Sequence, residues 1–260
     1  MKILLTNDDG IYADGVWVLK GILSSRHNVT VVCPEKECSG FGHAITISGP
    51  IQVTRIQKAE GEWGYAVAGT PADCVKLGVH ELLEARPDIV ISGINSGANV
   101  GADINYSGTV SAAREAAMIG IPAVAVSQDR GQVNENGYRA AAKFVSILIE
   151  QMMERGLPSG VFLNVNLPGV PLSKINGVKI TRQCVMPIVD TFQKWMDTKD
   201  RTWYLPLYEN QDFTKDPRSD RAALYDNSIS ITPLRCDLTD YDEMERLKTW
   251  RFLLGTEKNF

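Results

Sequence analysis

Two acidic residues, Asp8 and Asp9, lie in an Asn-Asp-Asp-Gly turn that follows the first apolar run of the sequence, KILLT at residues 2–6. Adjacent side chains on a strand face opposite ways, but a turn at a glycine can bend both carboxylates toward one point. Such a close pair repels itself unless a cation lies between them, and oxygen ligands suit Mg²⁺ or Mn²⁺. The pair predicts a divalent-metal site; the alternative is a solvated loop in which one carboxylate caps a helix.

A glycine-rich segment, SGINSGANVGADINYSGT at residues 92–109, follows a later apolar run. Its Asn95 offers a neutral oxygen that suits a hard cation. Ser107, Gly108 and Thr109 then open an alanine-rich helix, whose first N–H groups form an anion site. The segment predicts a phosphate-binding loop; the alternative is that Ser107 or Thr109 merely caps the helix.

A third segment, CSGFGHAIT at residues 38–46, contains a hydroxyl and an imidazole. Ser39 could bind metal or phosphate, and His43 could act as a general acid, orient a phosphoryl group or simply form a structural hydrogen bond. Cys33, Cys38 and His43 superficially suggest zinc. Their spacing matches no standard ligand pair, and Cys33 falls in an apolar strand, which disfavours zinc.

The elements that must position these residues alternate between strand and helix. This alternation predicts an α/β fold with a doubly wound, mostly parallel, Rossmann-like sheet, whose ligands bind at the carboxyl edge. Strands are predicted at 2–6, 29–33, 65–68, 88–92, 123–126, 162–166 and 175–182, and helices from 14, from 70 to about 83, from 107 to 118 and from 137 to 155.

Three segments are predicted along the chain: a Rossmann-like catalytic core at 1–185, an extended β-rich arm at 186–228, and a return strand with a C-terminal helix at 229–260. Proline, aspartate and aromatic residues without helical period characterise the arm. Its aromatic side chains would leave an apolar patch on a lone subunit, which predicts a homo-oligomer. These side chains are Trp195, Trp203, Tyr204 and Tyr208.

Composition excludes several other classes. A net charge of -4 lacks the basic excess of a nucleic-acid-polymer binder. The apolar stretch at the start is too short for a signal or membrane segment, and five scattered cysteines fit a reducing cytoplasm. A dinucleotide-binding enzyme is disfavoured because NDDGIYADG replaces the G-x-G-x-x-G pattern and its carboxylates would repel a pyrophosphate.

The motifs TNDDGIYADG, SGFGHAIT, AGTPADCV, SGINSGANVGADINYSGTVSAAREA and SITPLRCDLT together resemble the stationary-phase survival protein family, SurE. The resemblance implies a metal-dependent 5'-nucleotidase acting on nucleoside monophosphates, with some activity on 3'-nucleotides or short polyphosphate. It also implies one divalent ion per subunit at Asp8, Asp9, Ser39 and Asn95, phosphate contact at Ser107–Thr109, and dimers or tetramers formed through the C-terminal arm. Residues 186–228 match the family pattern poorly.

Our hypothesis for the chemistry is that a phosphomonoester binds to the metal and to the helix start at 107–109. Asp8 would orient or deprotonate the attacking water, and Asp9 would be the firmer metal ligand. A covalent aspartyl-phosphate lacks its usual D-x-D pattern here. A metal-dependent nucleotide sensor and a nucleotide-sugar transferase are the alternative functions.

Overall fold

The computed structural model describes residues 1–131, 135–185, 190–208 and 216–250. The strands in chain order are β1 (Lys2–Thr6), β2 (Asn28–Pro34), β3 (Val53–Ala59), β4 (Glu62–Val67), β5 (Ile89–Ser96), β6 (Ala123–Gln128), β7 (Val161–Leu167), β8 (Val178–Ile180), β9 (Asp190–Met196), β10 (Thr202–Tyr208) and β11 (Ile229–Arg235). The α-helices are α1 (Asp14–Leu23), α2 (Pro71–Leu77), α3 (Gly108–Met118), α4 (Glu135–Arg155), α5 (Asp220–Tyr225) and α6 (Tyr241–Leu247).

Within the described ranges, nine strands form one sheet in the order β3-β4-β2-β1-β5-β6-β7-β11-β8. The six strands from β4 to β7 are parallel, and antiparallel pairing occurs only where β3 meets β4 and where β11 meets β7. The chain adds strands on one side of β1 and then crosses to β5 on the other side. The predicted α/β class is confirmed, and β1 and β5 flank the point at which strand order reverses, which is where such sheets bind ligands.

The short run Ile3, Leu4 and Leu5 explains why β1 is central. All three side chains are fully buried, and because strand side chains alternate, they divide between the two faces of the sheet. Ile3 and Leu5 join the core formed with α1 and α4, whereas Leu4 joins the core formed with α2 and α3. Each such burial contributes roughly 1.5–3 kcal/mol, and together they hold the end of β1 rigidly between two helical layers.

Some predicted boundaries differ from the structure. The helix predicted to run from Thr70 to about Leu83 ends at Leu77, and a π-helical turn at Gly78–Leu82 follows it. The strand β3 was not predicted, because it lies at the sheet edge and exposes most of its polar side chains. The predicted strand at 175–182 is limited to β8.

The C-terminal part contains a separate two-stranded hairpin of β9 and β10, in which Trp195 and Trp203 lie opposite each other and stack with ring centroids 6.3 Å apart. The predicted β-rich arm also contains the helix α5. The return strand β11 lies between β7 and β8 in the main sheet. Residues 186–189, 209–215 and 251–260 of the predicted arm and C-terminal segment lie outside the described residues. The division into three segments therefore stays a prediction.

Candidate metal and phosphate site

A tight turn after β1 separates the two acidic side chains. The Asn7 side chain stabilises this turn with two hydrogen bonds to Gly10. The Asn7 Nδ2 donates to the Gly10 carbonyl (2.9 Å), and the Asn7 Oδ1 accepts the Gly10 N–H (3.2 Å). Gly10 has φ +95°, a conformation that favours glycine. As a result, Asp8 is buried and Asp9 is half-buried.

The carboxylate of Asp8 lies against the first turn of α3. One oxygen accepts the N–H of Thr109 at 3.0 Å, and the other is hydrogen-bonded to the Thr109 hydroxyl. Burial raises the pKa of Asp8, and the hydrogen bonds from Thr109 oppose this rise. The anion-binding end of α3 thus holds a carboxylate of the chain itself, which the helix dipole also favours.

The neighbouring Asp9 is less constrained. Its Oδ2 accepts the Ser96 N–H at 3.3 Å. Burial, then the charge of Asp8, with a further contribution from Glu37, raises the pKa of Asp9 to about 6. Asp9 also lines a cavity of about 630 Å³, whose other lining residues are Glu37, Ser39, Ser96, Arg130 and Gly131.

Asn95 reaches the same sheet edge through an irregularity in β5. The pairing of β5 with β6 shifts register between Ser92 and Asn95. Gly93 has φ +138° in this irregularity, and a Cβ there would lie 2.3 Å from the Val126 carbonyl oxygen. The Asn95 Nδ2 donates to the Gly97 carbonyl (2.7 Å), so the amide oxygen remains for another contact.

Ser39 lies on the loop at residues 38–46, which we call the Ser39 loop. Ser39 is exposed, and its hydroxyl donates to Glu37 at 2.7 Å. The N–H of Cys38 donates to the carbonyl of Asp8 (2.7 Å), which ties this loop to the acidic turn. The structure therefore places Ser39 and Asp9 on one cavity, with the start of α3 on the other side of Asp8.

The two other predicted phosphate contacts have structural roles. The Ser107 side chain accepts the N–H of Val110 at 3.1 Å and caps α3, which is the alternative raised by the sequence. Gly108 lies so close to Asp8 that a Cβ would come within 2.7 Å of the Asp8 Cβ and 3.0 Å of Pro71 Cγ. Gly108 therefore lets α3 begin directly against Asp8.

His43 is hydrogen-bonded to Glu115 and is not among the residues that line the cavity. Its Nε2 lies 2.9 Å from Oε2 of Glu115 on α3, and the Glu115 side chain is only 8% exposed. Cys33 is fully buried in β2, and burial raises the pKa of its thiol. Among the residues that the structure describes, no three His, Cys, Asp or Glu side chains are grouped to hold a metal ion.

Sequence reasoning did not identify four residues around the site: Glu37, Ser96, Arg130 and Glu115. Ser96 and Arg130 could have been found, because both lie at the carboxyl ends of strands that neighbour β1 or follow it in the sheet. Glu37 had the same signal, because it follows β2 beside β1. Glu115 had none, since its contact depends on how the Ser39 loop folds back.

Fold and site together define a Rossmann-like α/β protein with an acidic, oxygen-rich pocket at the reversal point of its sheet. The oxygen donors that line it belong to carboxylates and hydroxyls, and Asn95 precedes Ser96 of this lining in the chain. Such oxygens suit a hard divalent cation. No helix in the described parts of the chain is long and apolar enough to cross a membrane.

Comparison with known proteins identifies the family. The family model described as "Survival protein SurE" matches residues 3–188. A "5'-nucleotidase SurE" from Desulfatibacillum aliphaticivorans is 48% identical over 251 residues, covering 96% of this chain and 98% of the relative. Another from Syntrophobacter fumaroxidans is 46% identical, covering 96% and 99%. The crystal structure of SurE protein from Aquifex aeolicus is similar with a TM-score of 0.83 and 36% identity, covering 95% of this chain and 98% of that one. The chain belongs to the SurE family, as its motifs predicted.

Gly108→Ala tests the packing of α3 against Asp8. Alanine is normally better than glycine in a helix by about 1 kcal/mol, but here its Cβ would collide with Asp8. We therefore expect a lower melting temperature than in the parent, measured by thermal denaturation. The matched control is Gly21→Ala in α1, where an added Cβ meets nothing within 4 Å. Equal stabilisation of both variants would contradict the packing.

Asp9→Asn tests whether the buried charge of Asp9, close to that of Asp8, destabilises the metal-free protein. A carboxyl whose pKa is about 6 when folded and near 3.8 when unfolded destabilises the fold increasingly as pH rises between these values. Asparagine removes that penalty and can still accept the Ser96 N–H. In chelator, we expect the variant's gain in melting temperature over the parent to be small at pH 4 and full at pH 7.5. A gain that shrinks with rising pH would refute this sign.

Proposed function

We propose that the chain is a divalent-metal-dependent phosphomonoesterase that hydrolyses nucleoside 5'-monophosphates to nucleoside and phosphate. The observation that supports this most directly is the group of oxygen donors at the reversal point of the sheet, beside a cavity of about 630 Å³. Two closely similar relatives carry the name 5'-nucleotidase, over nearly the whole length of this chain. Fold likeness alone would not give the reaction.

The residues present fit one divalent ion per subunit, with Mg²⁺ or Mn²⁺ as the best candidates. Asp8, Asp9, Ser39 and Asn95 are the proposed ligands, and all four donate through oxygen, as these ions require. The raised pKa of Asp9, caused by burial and then by Asp8, is what a carboxylate beside an uncompensated like charge should have. A bound divalent cation would neutralise this pair and polarise the phosphoryl group.

The protein's own groups would then orient the substrate. The Ser107 hydroxyl accepts a hydrogen bond from Val110, so its own proton remains available to a phosphoryl oxygen. Gly108 and Thr109 act on the phosphate site through Asp8, which they hold in place. Across the cavity, Arg130 supplies positive charge that complements a phosphate dianion.

The two aspartates would have different roles in the reaction. Both oxygens of Asp8 are engaged by Thr109, which fixes the carboxylate but leaves each oxygen a second lone pair. Asp8 is thus suited to orient the attacking water or accept its proton. Asp9 has one long hydrogen bond and faces the cavity, so it can adjust to the metal as the firmer ligand.

An assay of phosphate release tests the reaction. Purified protein with 5'-AMP and Mn²⁺ or Mg²⁺ should release inorganic phosphate, and chelator should abolish the release. Asp9→Asn should lower the rate roughly 100-fold or more because the ion loses a ligand, whereas the matched Asp14→Asn changes an exposed carboxylate and should retain activity. No release from any nucleotide, 3'-nucleotide or short polyphosphate would refute the proposal, and tight nucleotide binding without turnover would favour the sensor.

We also propose that the hairpin of β9 and β10 binds a second copy of the chain, giving a homodimer or tetramer. Both faces of the hairpin expose large apolar side chains, with Trp195, Trp203 and Leu205 on one face and Phe192 and Tyr204 on the other. A lone two-stranded hairpin is marginally stable in water, so a partner surface is needed to cover it. The five cysteines are free thiols, which supports a cytoplasmic setting for the assembly.

Leu205→Asp tests this assembly by placing a charge on the apolar hairpin. The parent protein should have a mass in solution that is two or four times 28.6 kDa, and the variant should fall to the monomer mass in light scattering. Lys199→Asp, in the exposed hairpin turn, is the control and should keep the parent mass. A monomeric parent, or an unchanged mass for Leu205→Asp, would contradict the role of the hairpin.

A further inference from the structure

The Ser39 loop is joined to Asp8 by two routes. The direct route is the hydrogen bond from the Cys38 N–H to the Asp8 carbonyl (2.7 Å). The indirect route leads from the Asp8 carboxylate to Thr109, along α3 to Glu115, and from Glu115 to His43 at 2.9 Å. The two routes meet in the loop and close a ring of contacts, and Ser39 lies between their attachment points.

The contact between His43 and Glu115 is a strong part of this ring. The hydrogen bond from His43, together with Lys76 at 3.7 Å, keeps the pKa of Glu115 below its usual range. Because an ionised carboxylate only accepts, the His43 Nε2 must donate the hydrogen bond. A nearly buried carboxylate needs such a partner, so the loop is held where His43 can reach it.

The loop is also fastened next to His43, just before it at Gly42 and after it at Ala44 and Thr46. The Gly42 N–H donates to the Tyr106 carbonyl (2.9 Å), the Ala44 carbonyl accepts the Thr70 hydroxyl (2.7 Å), and Thr46 binds the Asp73 carboxylate. These contacts hold the loop's C-terminal half. Residues 39–41 form an exposed turn in which the Phe41 N–H donates to the Cys38 carbonyl (3.4 Å). The placement of this turn depends on the anchors at its two ends, which are Cys38 on one side and Gly42 and His43 on the other.

We propose that His43 is a positioning residue: by binding Glu115 it fixes where the Ser39 hydroxyl lies relative to Asp8 and Asp9. In this role His43 exchanges no proton with the substrate. The role of Ser39 as a ligand rests on the proposed function. The contact between His43 and Glu115, which we call the tether, does not rest on it, because both residues belong to the chain itself.

Three variants separate positioning from direct chemistry. His43→Ala removes the donor to Glu115, whereas His43→Gln keeps an N–H that can reach it. His80→Ala is the matched control, since His80 is exposed on the π-helical turn after α2. We expect His43→Ala to weaken Mn²⁺ binding about 10-fold in calorimetry, as loss of a group that supports a ligand does, while kcat at saturating Mn²⁺ changes less than 3-fold. His43→Gln should restore most of the affinity.

Hydrogen exchange of the metal-free protein measures how firmly the tether holds the Ser39 loop, and it requires no enzyme activity. Amides at residues 39–43 should exchange faster in His43→Ala than in the parent, and His43→Gln and His80→Ala should match the parent. Unchanged exchange in His43→Ala would overturn the proposal. So would a large loss of kcat in both His43 variants with unchanged Mn²⁺ affinity, because that result assigns His43 to the chemistry.

Ser39→Ala distinguishes the failure of this inference from the failure of the proposed function. If Ser39→Ala leaves Mn²⁺ affinity unchanged, Ser39 is not a ligand and the proposed metal site is wrong in that respect. If Ser39→Ala weakens binding but His43→Ala does not, the site stands and the positioning role is wrong.

Discussion

The hydrogen bonds between Asp8 and Thr109 are the contacts on which the rest of the site depends. They join the end of β1 to the start of α3, across 101 residues of sequence. Burying a carboxylate is costly unless it is hydrogen-bonded, and the helix start provides both donors and a favourable dipole. With Asp8 fixed there, Asp9 must occupy the next position of the turn, close to a like charge and beside the cavity.

Sheet topology explains why the other oxygen donors gather at this point. Because β2 and β5 flank β1 in parallel, the segments after all three strands emerge at one edge. Ser39 follows β2, and Asn95 lies at the end of β5. The strand β6 lies next to β5, and Arg130 follows it. Four neighbouring strands, or the segments that follow them, therefore contribute Asp9, Ser39, Ser96 and Arg130 to one pocket, although these residues are widely separated in sequence.

Local signals in the sequence were sufficient to predict most of the fold. The apolar runs of β1, β5 and β6 mark buried parallel strands, and Thr70 and Ser107 mark helix starts, because each accepts an N–H of the first turn. The edge strand β3 carries no such signal, since its polar side chains face solvent.

The candidate site was predictable only in part. Asp8, Asp9 and Asn95 follow from the rule that ligands bind at the reversal point of the sheet. The contact of Asp8 with Thr109 could not be predicted in this way. The start of a helix predicts a bound anion, but it does not indicate whether the anion is a ligand or a side chain of the protein. Here the chain supplies the anion. The pairing of His43 with Glu115 is equally non-local, since the loop and α3 meet only after the sheet has formed.

An acidic pair held this way makes the metal-free site unfavourable in itself. Burial, the charge of Asp8 and, to a lesser extent, that of Glu37 act together on Asp9, and the Ser96 N–H gives only a weak compensating contact. Rigid hydrogen bonds on Asp8 prevent the pair from relaxing by moving apart. Taking up a proton at Asp9 or binding a cation would relieve this repulsion, so above about pH 6 the same packing would favour the metal ion that we propose here. The proposed site is therefore preformed, and the ion would complete an arrangement that the fold already holds.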